Sequence, residues 1–389
     1  MEQPAIVIGA GVAGCVAART LADAGHEVLV LEAGPGPERP RALDGLDHLQ
    51  SVAVTDWWFT DLPRRGTGSG GSSAVNGMVL DGVEPLDARR WGWDDAAEHQ
   101  AWVLARWPTI ELDPGPFTAA IGELVCRGFP AANPTRVSGW LGWAPLSVAA
   151  VGQRRVSAAD AFLDDRIEVR YRTAVQTIGV ASGSSAPFGA SWIETKDGRR
   201  FEGSHVFVAA GAVGSPELLV ASGLIERSKV LPLMNHPSTA VIAELDPSLQ
   251  SAGGPPSSRM LRTVSGLSEN TVDLQMLVLD HTGDNEDGRR HGAVIVTALE
   301  PDRQKVLIAG ITQALRWLGE LEGVRKISLS PDPSPVQHHA CSLAGLGSVT
   351  SEVSVIDGSV LPALPHTNPM VSVAVGARRA TLAAIGHTP

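Results

Sequence analysis

AIVIGAGVAGCVAARTLADAGHEVLVLEAG, residues 5–34, is the stretch that decides the fold. Apolar residues lead into a glycine turn, apolar positions then recur at helical spacing, and EVLVLE follows. Because strand periodicity gives way to helix periodicity and then returns, the pattern predicts a βαβ unit. Gly9, Gly11 and Gly14 form GxGxxG. The first glycine permits the turn, the second lets the backbone approach a pyrophosphate, and the third lets the helix pack on the strand.

Glu32 stands at the end of the second predicted strand. An acid at this place accepts hydrogen bonds from ribose hydroxyls and repels a 2′-phosphate, so the sequence disfavours NADP. The phosphate of a bound nucleotide would lie at the N-terminus of the predicted helix. The pattern does not separate FAD from NAD, and an NAD-dependent dehydrogenase therefore stays open.

A second glycine-rich run, GSGGSSAVNGM, occupies residues 68–78. It is either a flexible linker or a surface whose backbone packs against a ligand. Small residues favour the second interpretation, because a larger side chain would hold the backbone away from that ligand.

The composition is that of a folded acidic protein. A chain of 389 residues is longer than one core usually supports, which predicts two joined domains. The net charge of -11 would repel a phosphate backbone, so nucleic acid is not expected as a partner. Three cysteines without metal-ligand spacing predict no metal site and a reducing, cytoplasmic location. Neither a transmembrane segment nor a signal peptide is expected.

The middle of the chain adds strands and turns. The segments 166–180 and 190–211 contain three candidate strands. The last strand leads to a helix that is expected to start at Ser215 and Pro216. Residues 238–310 alternate β-like runs with polar turns, which predicts an antiparallel sheet.

The C-terminal part predicts a strand at 353–356 and a helix from about residue 369. Thr367 or Asn368 can cap that helix, and Pro369 suits its first position. The positive end of the helix dipole would then lie beside these residues.

In chain order, these segments resemble the glucose-methanol-choline (GMC) family of FAD-dependent oxidoreductases. RRGTGSGGSSAVNGM resembles the first signature of that family, GAVGSPELLVASGLI resembles the second, and VIDGSVLP resembles its cofactor-facing strand. The resemblance implies an α/β fold: a Rossmann-like FAD-binding domain, with a parallel sheet and flanking helices, interlocked with a smaller α+β substrate domain on an antiparallel sheet. The FAD-binding domain would comprise residues 1–85, 151–236 and 336–389, and the substrate domain residues 86–150 and 237–335.

The resemblance also implies where the cofactor lies. It places the glycine run along the flavin and its pyrophosphate, Val175 at the adenine, and Asp357 on the strand that meets the cofactor. No histidine occurs in residues 61–85, so FAD is expected to be bound noncovalently. The residues expected to bind the cofactor are Gly9, Gly11, Gly14, Glu32, Ala33, Gly70, Gly71, Ser72, Ser73, Asn76, Gly77, Met78, Val175, Ala210, Gly211, Asp357, Gly358, Asn368, Pro369 and Met370.

The family oxidises alcohols: a base takes the hydroxyl proton while hydride moves from carbon to flavin N5. Imidazole suits the base because its pKa is near neutral. The resemblance implies a catalytic pair drawn from His366, followed by Asn368, and from His338 or His339 in QHHACSLA. Either of the latter two can be aligned, and both stay open. The charged cluster DARR, residues 87–90, is interpreted as a solvated turn without chemistry.

The chain is shorter than most family members, so the substrate part is trimmed and the usual substrates cannot be carried over. Short members are similar to the subgroup associated with the redox cofactor mycofactocin. That resemblance implies a small-molecule donor or reduced carrier, a respiratory acceptor instead of oxygen, and a cytoplasmic protein that docks at the inner face of the membrane. The alternatives are a flavin-binding module that has lost catalysis and the NAD-dependent dehydrogenase.

Overall fold

The structure, a computed structural model, describes residues 3–38, 58–59, 65–128, 142–180, 191–251, 257–263, 274–280, 291–299, 303–330 and 340–386. The strands are β1 (Ala5–Ile8), β2 (Val28–Leu31), β3 (Trp58–Phe59), β4 (Arg65–Gly66), β5 (Thr109–Glu111), β6 (Gly142–Pro145), β7 (Ser147–Val151), β8 (Arg154–Arg155), β9 (Ile167–Arg170), β10 (Val175–Val180), β11 (Ser191–Thr195), β12 (Arg200–Gly203), β13 (His205–Val208), β14 (Ser238–Leu245), β15 (Ser257–Thr263), β16 (Leu274–Leu279), β17 (His291–Ala298), β18 (Val324–Leu329) and β19 (Val353–Val355).

The α-helices are α1 (Val12–Asp23), α2 (Pro85–Trp91), α3 (Ala96–Arg106), α4 (Pro116–Gly128), α5 (Ala158–Phe162), α6 (Gly211–Ala221), α7 (Arg303–Glu320) and α8 (Pro369–Ala384). Within the described ranges, no helix combines the length and the apolar character that crossing a bilayer requires.

The N-terminal stretch folds as the predicted βαβ unit. β1 and β2 are fully buried and pair in parallel, with Ala5 opposite Val28. Val16 and Leu21 of α1 belong to the same buried cluster as Val7 of β1. The helical spacing of the apolar residues in α1 therefore reflects the face that covers the sheet.

Five parallel strands form the first sheet, in the order β19, β13, β1, β2, β9. This sheet confirms the Rossmann-like fold and the strand expected at 353–356. The carboxyl ends of parallel strands share one edge of a sheet, so the segments after β1, β13 and β19 lie side by side. The region from 166 to 211 holds five strands, β9 to β13, instead of the three expected.

Helix α6 begins at Gly211, four residues before the expected start at Ser215. Pro216 therefore lies inside the helix, where it has no N–H to donate to the carbonyl of Ala212. The hydroxyl of Ser342 donates to that carbonyl at 2.5 Å and replaces the missing hydrogen bond. The expectation was wrong because a side chain from a distant segment satisfies the backbone group that the proline leaves unpaired.

Six strands form a second, antiparallel sheet in the order β18, β14, β17, β16, β15, β6. This confirms the antiparallel sheet expected from 238–310. Helices α4 and α7 contribute Phe117 and Trp317 to a buried cluster with Val241 and Met276 of the sheet. Helix α7 was not expected, although its apolar residues recur at helical spacing.

The first buried cluster extends beyond the parallel sheet and its helices. It includes Val103 of α3 and Val148 of β7, which pack with α1 and α8. Both residues fall within 86–150, the range expected to belong to the substrate domain. The division of the chain into the two expected domains stays a prediction.

Candidate cofactor and active site

The glycine run packs on the turn between β1 and α1. The N–H of Gly70 donates to the carbonyl of Ala10 at 2.8 Å. A Cβ atom placed on Gly71 would lie 2.9 Å from the Cα atom of Gly11, and Gly70 and Gly71 have φ values of 88° and 53°. The run is therefore a packed surface and not a linker.

The GxGxxG turn is close-packed except at its second glycine. A Cβ atom on Gly14 would overlap the carbonyl oxygen of Gly9, and one on Gly9 would lie 2.5 Å from the carbonyl oxygen of Ala209. No described atom lies within 4 Å of the same position on Gly11, which precedes the first residue of α1. The open space at a helix N-terminus fits a pyrophosphate, while the other two glycines serve the packing of the fold.

Glu32 binds three backbone amides from the segments around that turn. Its side chain is buried; Oε1 accepts from Gly34 and Gly68 at 2.8 and 2.9 Å, and Oε2 accepts from Ala10 at 2.7 Å. A carboxylate has about four acceptor positions, so Oε2 retains capacity for one more donor. The predicted contact with a ribose hydroxyl stays a prediction; the observed role of Glu32 is to tie the β1 turn to the glycine run.

Residues at and before the start of α5 form hydrogen bonds with the glycine run. The hydroxyl of Ser73 donates to the carbonyl of Gly70 at 2.6 Å and accepts from the N–H of Ala158 at 2.8 Å. The buried Arg155 donates to the carbonyls of Asn76 at 2.6 Å and Ser73 at 3.3 Å. The Ser73 side chain thus fixes the shape of the run.

Asp357 closes the edge of the parallel sheet. Its Oδ2 atom accepts from the N–H of Gly211 at 2.7 Å and from the hydroxyl of Ser215 at 2.5 Å. Its Oδ1 atom accepts from the N–H and the hydroxyl of Ser359 at 2.9 and 2.6 Å. These donors fill the acceptor positions of the carboxylate. A cofactor contact at this place would therefore use the main chain of Asp357 or Gly358.

His366 forms a buried pair with Asp87. Nδ1 of His366 lies 2.6 Å from Oδ1 of Asp87, and the N–H of His366 donates to Oδ2 at 2.7 Å. Asp87 is 0% exposed and lies in the first turn of α2. The interpretation of residues 87–90 as a solvated turn is wrong at Asp87. Asp87 and Trp91 are four residues apart on α2, so the helix buries both on one face.

Asn368 occupies the cap position of α8, and Pro369 is the first helical residue, as expected. Among the described residues, no side-chain hydrogen bond caps the helix. The side-chain amide of Asn368 donates instead to Oδ2 of the buried Asp81. Next to it, the buried Oγ1 of Thr367 has no partner within the described ranges, which fits a group that meets a ligand.

The start of α8 also contacts the glycine run. The side-chain amide of Asn76 donates to Sδ of Met370 at 3.3 Å, and Oδ1 of Asn76 accepts from the N–H of Met78 at 3.0 Å. The predicted residues of the β1 turn, the glycine run and α8 therefore meet in one region. Gly77 lies half-buried within the same run.

For the remaining expected site residues, the structure shows fewer contacts with the β1 turn, the glycine run and α8. Val175 begins β10, shortly after Thr173, whose N–H donates to the carbonyl of Glu32 at 2.8 Å. Ala33 and Ser72 are exposed, and Ala210 precedes α6. His338 and His339 lie outside the residues that the structure describes, so their expected role stays a prediction.

Comparisons of sequence agree with the βαβ unit predicted for residues 5–34. The family of NAD(P)-binding Rossmann-like domains matches residues 7–37. An oxygen-dependent choline dehydrogenase of Klebsiella pneumoniae is 27% identical over 273 residues, covering 58% of this chain and 49% of that protein. The mitochondrial choline dehydrogenase of Mus musculus is 29% identical over 281 residues, covering 57% and 46%. The chain thus spans about half the length of the curated relatives it matches.

Solved structures have the same fold. Pyridoxine 4-oxidase from Mesorbium loti superposes with a TM-score of 0.76 at 16% identity, covering 100% of both chains. A variant of formate oxidase from Aspergillus oryzae RIB40, studied for modification of its FAD, gives a TM-score of 0.80 at 13% identity, covering 99% of this chain and 98% of that chain. In sequence and in fold, the chain is similar to members of the glucose-methanol-choline (GMC) family.

Two cysteines that the structure describes near the site are buried. Sγ of Cys15 contacts the carbonyl of Ala10 at 3.2 Å, and burial, with a smaller effect of Glu32, raises the pKa of its thiol well above the usual value. Cys341 is 0% exposed within a cluster that includes Leu361. A protonated, buried thiol is a poor nucleophile, so Cys15 serves as a packing group. The burial of Cys341 in an apolar cluster fits the same role.

Proposed function

We propose that this chain is an FAD-dependent oxidoreductase of the GMC type that oxidises a CH–OH donor, with His366 as general base. The observation that carries the proposal is the 2.6 Å contact between Nδ1 of His366 and Oδ1 of Asp87, whose side chains are 5% and 0% exposed. A histidine oriented by a carboxylate is a recurring arrangement for proton transfer in enzymes. It lies here beside Asn368, in the region where the glycine run meets α8.

The carboxylate determines which ring nitrogen acts. An ionised carboxylate only accepts hydrogen bonds, so the contact requires the proton of the neutral imidazole on Nδ1. The lone pair then belongs to Nε2, which takes the hydroxyl proton of the donor in this proposal. After that transfer the positive ring lies beside Asp87, and the opposite charge stabilises it. Asp87 orients the ring, while His366 moves the proton.

Noncovalently bound FAD would supply the acceptor for the hydride that leaves the donor carbon. The open position at Gly11, the packed glycines of residues 70–77 and the remaining acceptor capacity of Glu32 fit its phosphate and ribose groups. The N-terminus of α8 presents the positive end of a helix dipole, and its first turn carries no acidic residue. Noncovalent binding is proposed because residues 61–85 contain no histidine.

The donor is proposed to be a small alcohol, since choline and pyridoxine, named in the relatives, both carry hydroxyl groups. A finer form of the proposal makes the donor a reduced carrier of the mycofactocin type. Electrons would then pass to a respiratory acceptor, with the protein in the cytoplasm at the inner face of the membrane. The trimmed substrate part inferred from the sequence motivates this finer form.

The test is anaerobic reduction of the purified protein by a panel of donors: choline, pyridoxine, simple primary alcohols, and phenol or thiol carriers. Bleaching of the flavin absorbance by one donor is expected. His366→Ala should retain flavin but slow its reduction by about 100-fold to 10,000-fold. Asp87→Asn should also slow it, because an amide nitrogen that faces Nδ1 favours the tautomer with its proton on Nε2.

His26→Ala is the matched control, because His26 is exposed in the turn before β2 and should leave the rate unchanged. Reduction of the His366→Ala protein at the wild-type rate would exclude His366 as the base. A flavin that no donor reduces would support the binding module without catalysis. A colourless protein that binds NAD would support the nicotinamide-dependent alternative.

A further inference from the structure

One row of side chains that crosses the antiparallel sheet is polar and buried. In the register of β14, β17, β16 and β15, Ser238 lies opposite Thr297, Thr297 opposite Gln275, and Gln275 opposite Arg262. Their exposures are 1%, 2%, 4% and 1%. Burial of polar groups is costly unless they are hydrogen-bonded, so the row needs a specific set of partners.

The apolar alternative occurs two residues along the same strands. The corresponding row consists of Ala240, Ile295, Leu277 and Met260, which are all hydrophobic. The polar row is therefore a local exception on a face that otherwise packs through apolar contacts. Its charged member is the one that reaches the candidate active site.

Arg262 connects this row to Asp81. Nη2 of Arg262 lies 2.7 Å from Oδ2 of Asp81, and Nε and Nη2 each donate to Oε1 of Gln275 at 3.2 Å. Asp81 is 4% exposed. A buried ion pair gains little stability over an apolar pair of similar size, because both charges lose their hydration. Its value lies in the geometry that it imposes.

Asp81 in turn accepts hydrogen bonds from Asn368. Oδ2 of Asp81 accepts from the side-chain amide of Asn368 and receives its backbone N–H at 3.4 Å. Because an ionised carboxylate has no proton to donate, the NH2 group of Asn368 must face Asp81. The carbonyl oxygen Oδ1 of Asn368 is thereby directed away from the carboxylate, and the amide cannot flip without losing the hydrogen bond.

We propose that Arg262 is a positioning residue of the active site. From the antiparallel sheet it holds Asp81, and Asp81 fixes the orientation of the Asn368 amide beside His366. The hydrogen bonds that Asn368 can form with the donor therefore depend on how the antiparallel sheet packs against Asp81 and the start of α8. Its catalytic consequence rests on the proposed function, whereas the link from Arg262 to the start of α8 does not.

Hydrogen–deuterium exchange of the flavin-loaded protein tests the link without any donor. Arg262→Met should speed exchange in a peptide that spans residues 366–370, because Asp81 loses its partner and the N–H of Asn368 loses its fixed acceptor. Arg259→Met is the matched control on the same strand: Arg259 donates to the carbonyl of Leu112 at 2.7 Å and does not reach Asp81 in the described structure. Unchanged exchange in Arg262→Met would overturn the proposal.

Rates of flavin reduction test the consequence. Arg262→Met should lower the rate constant at saturating donor by up to about 100-fold, with a smaller change in the donor concentration needed for half-saturation. The double variant Arg262→Met, Asn368→Ala should be no slower than Asn368→Ala alone, because the effect passes through Asn368. Independent, multiplicative losses would overturn the proposal and leave Arg262 with a purely structural role.

Arg262→Lys serves if the methionine variant does not fold. Lysine keeps a charge for Asp81 but lacks the planar fork that also binds Gln275, so exchange and rate should lie between wild type and Arg262→Met. If a folded Arg262→Lys protein exchanges and reacts like wild type, the planar guanidinium group of Arg262 is not required for positioning Asn368. If the wild-type flavin is not reduced by any donor, the proposed function fails, and the exchange result still decides the link.

Discussion

The Glu32→Gln substitution removes one charge and exchanges a carboxylate oxygen for an amide nitrogen in a side chain of nearly the same size. In the structure Oε1 accepts from Gly34 and Gly68, and Oε2 accepts from Ala10. The least costly orientation of glutamine keeps its oxygen at Gly34 and Gly68 and turns its NH2 group toward the N–H of Ala10. Two donors then face each other, and the remaining hydrogen bonds lose their charge assistance.

The size of the effect follows from these bonds. A buried donor without an acceptor costs about 1–3 kcal/mol, and the weaker remaining bonds add roughly 1 kcal/mol. The free energy of unfolding should therefore fall by about 3 kcal/mol. With an unfolding entropy of about 2.1 cal/mol/K per residue over 389 residues, this corresponds to a decrease in Tm of about 4 °C.

Calorimetry of the flavin-free protein measures this change without a contribution from ligand binding. Glu168→Gln is the matched control, because the side chain of Glu168 is 58% exposed on β9 and a shift below about 1 °C is expected. A Glu32→Gln protein that unfolds at the wild-type temperature would refute the reasoning that Glu32 ties the two glycine segments together.

Three further predictions concern the parallel sheet and the helices that pack with it. Gly14→Ala should abolish folding, because its Cβ atom would overlap Gly9, whereas Gly11→Ala should fold and bind flavin more weakly; circular dichroism and flavin titration separate the two. Asp357→Asn should lower the free energy of unfolding by about 2–4 kcal/mol in denaturant titration, since at least one buried N–H loses its acceptor. Burial lowers the pKa of His99, so the unfolded chain binds this proton more readily, and stability should fall as the pH drops below about 6.5. His99→Gln should flatten the curve of Tm against pH in that range.

Patterns within short stretches of sequence predicted the elements that those same stretches form. The βαβ unit was evident because its apolar residues and glycines follow one another within residues 5–34. The start of α8 was evident because proline is favoured at the first position of a helix, which Pro369 occupies. The small residues of the glycine run indicated a packed surface and not a linker, but its contact with Gly11 was not predicted.

The partners of the candidate active-site residues could not be predicted in the same way. Asp87 and His366 are separated by 279 positions in the chain, and no local pattern joins them. Asp81 and Arg262 belong to no recognisable sequence motif. Their burial follows from the packing of the antiparallel sheet against the segment that contains Asp81, which the sequence does not reveal. One signal was available: Trp91 follows Asp87 by one helical turn, so a buried tryptophan implies that the acid shares its face.

The order of the parallel sheet has a consequence for biosynthesis. Its strand β19 and the helix α8, which packs on α1, are synthesised after the other four strands of this sheet. Until β19 and α8 have been synthesised, the N-terminal βαβ unit keeps an uncovered apolar surface, a state prone to aggregation and chaperone capture. Release of the chain before residue 353 would leave the parallel sheet without β19 and α1 without α8.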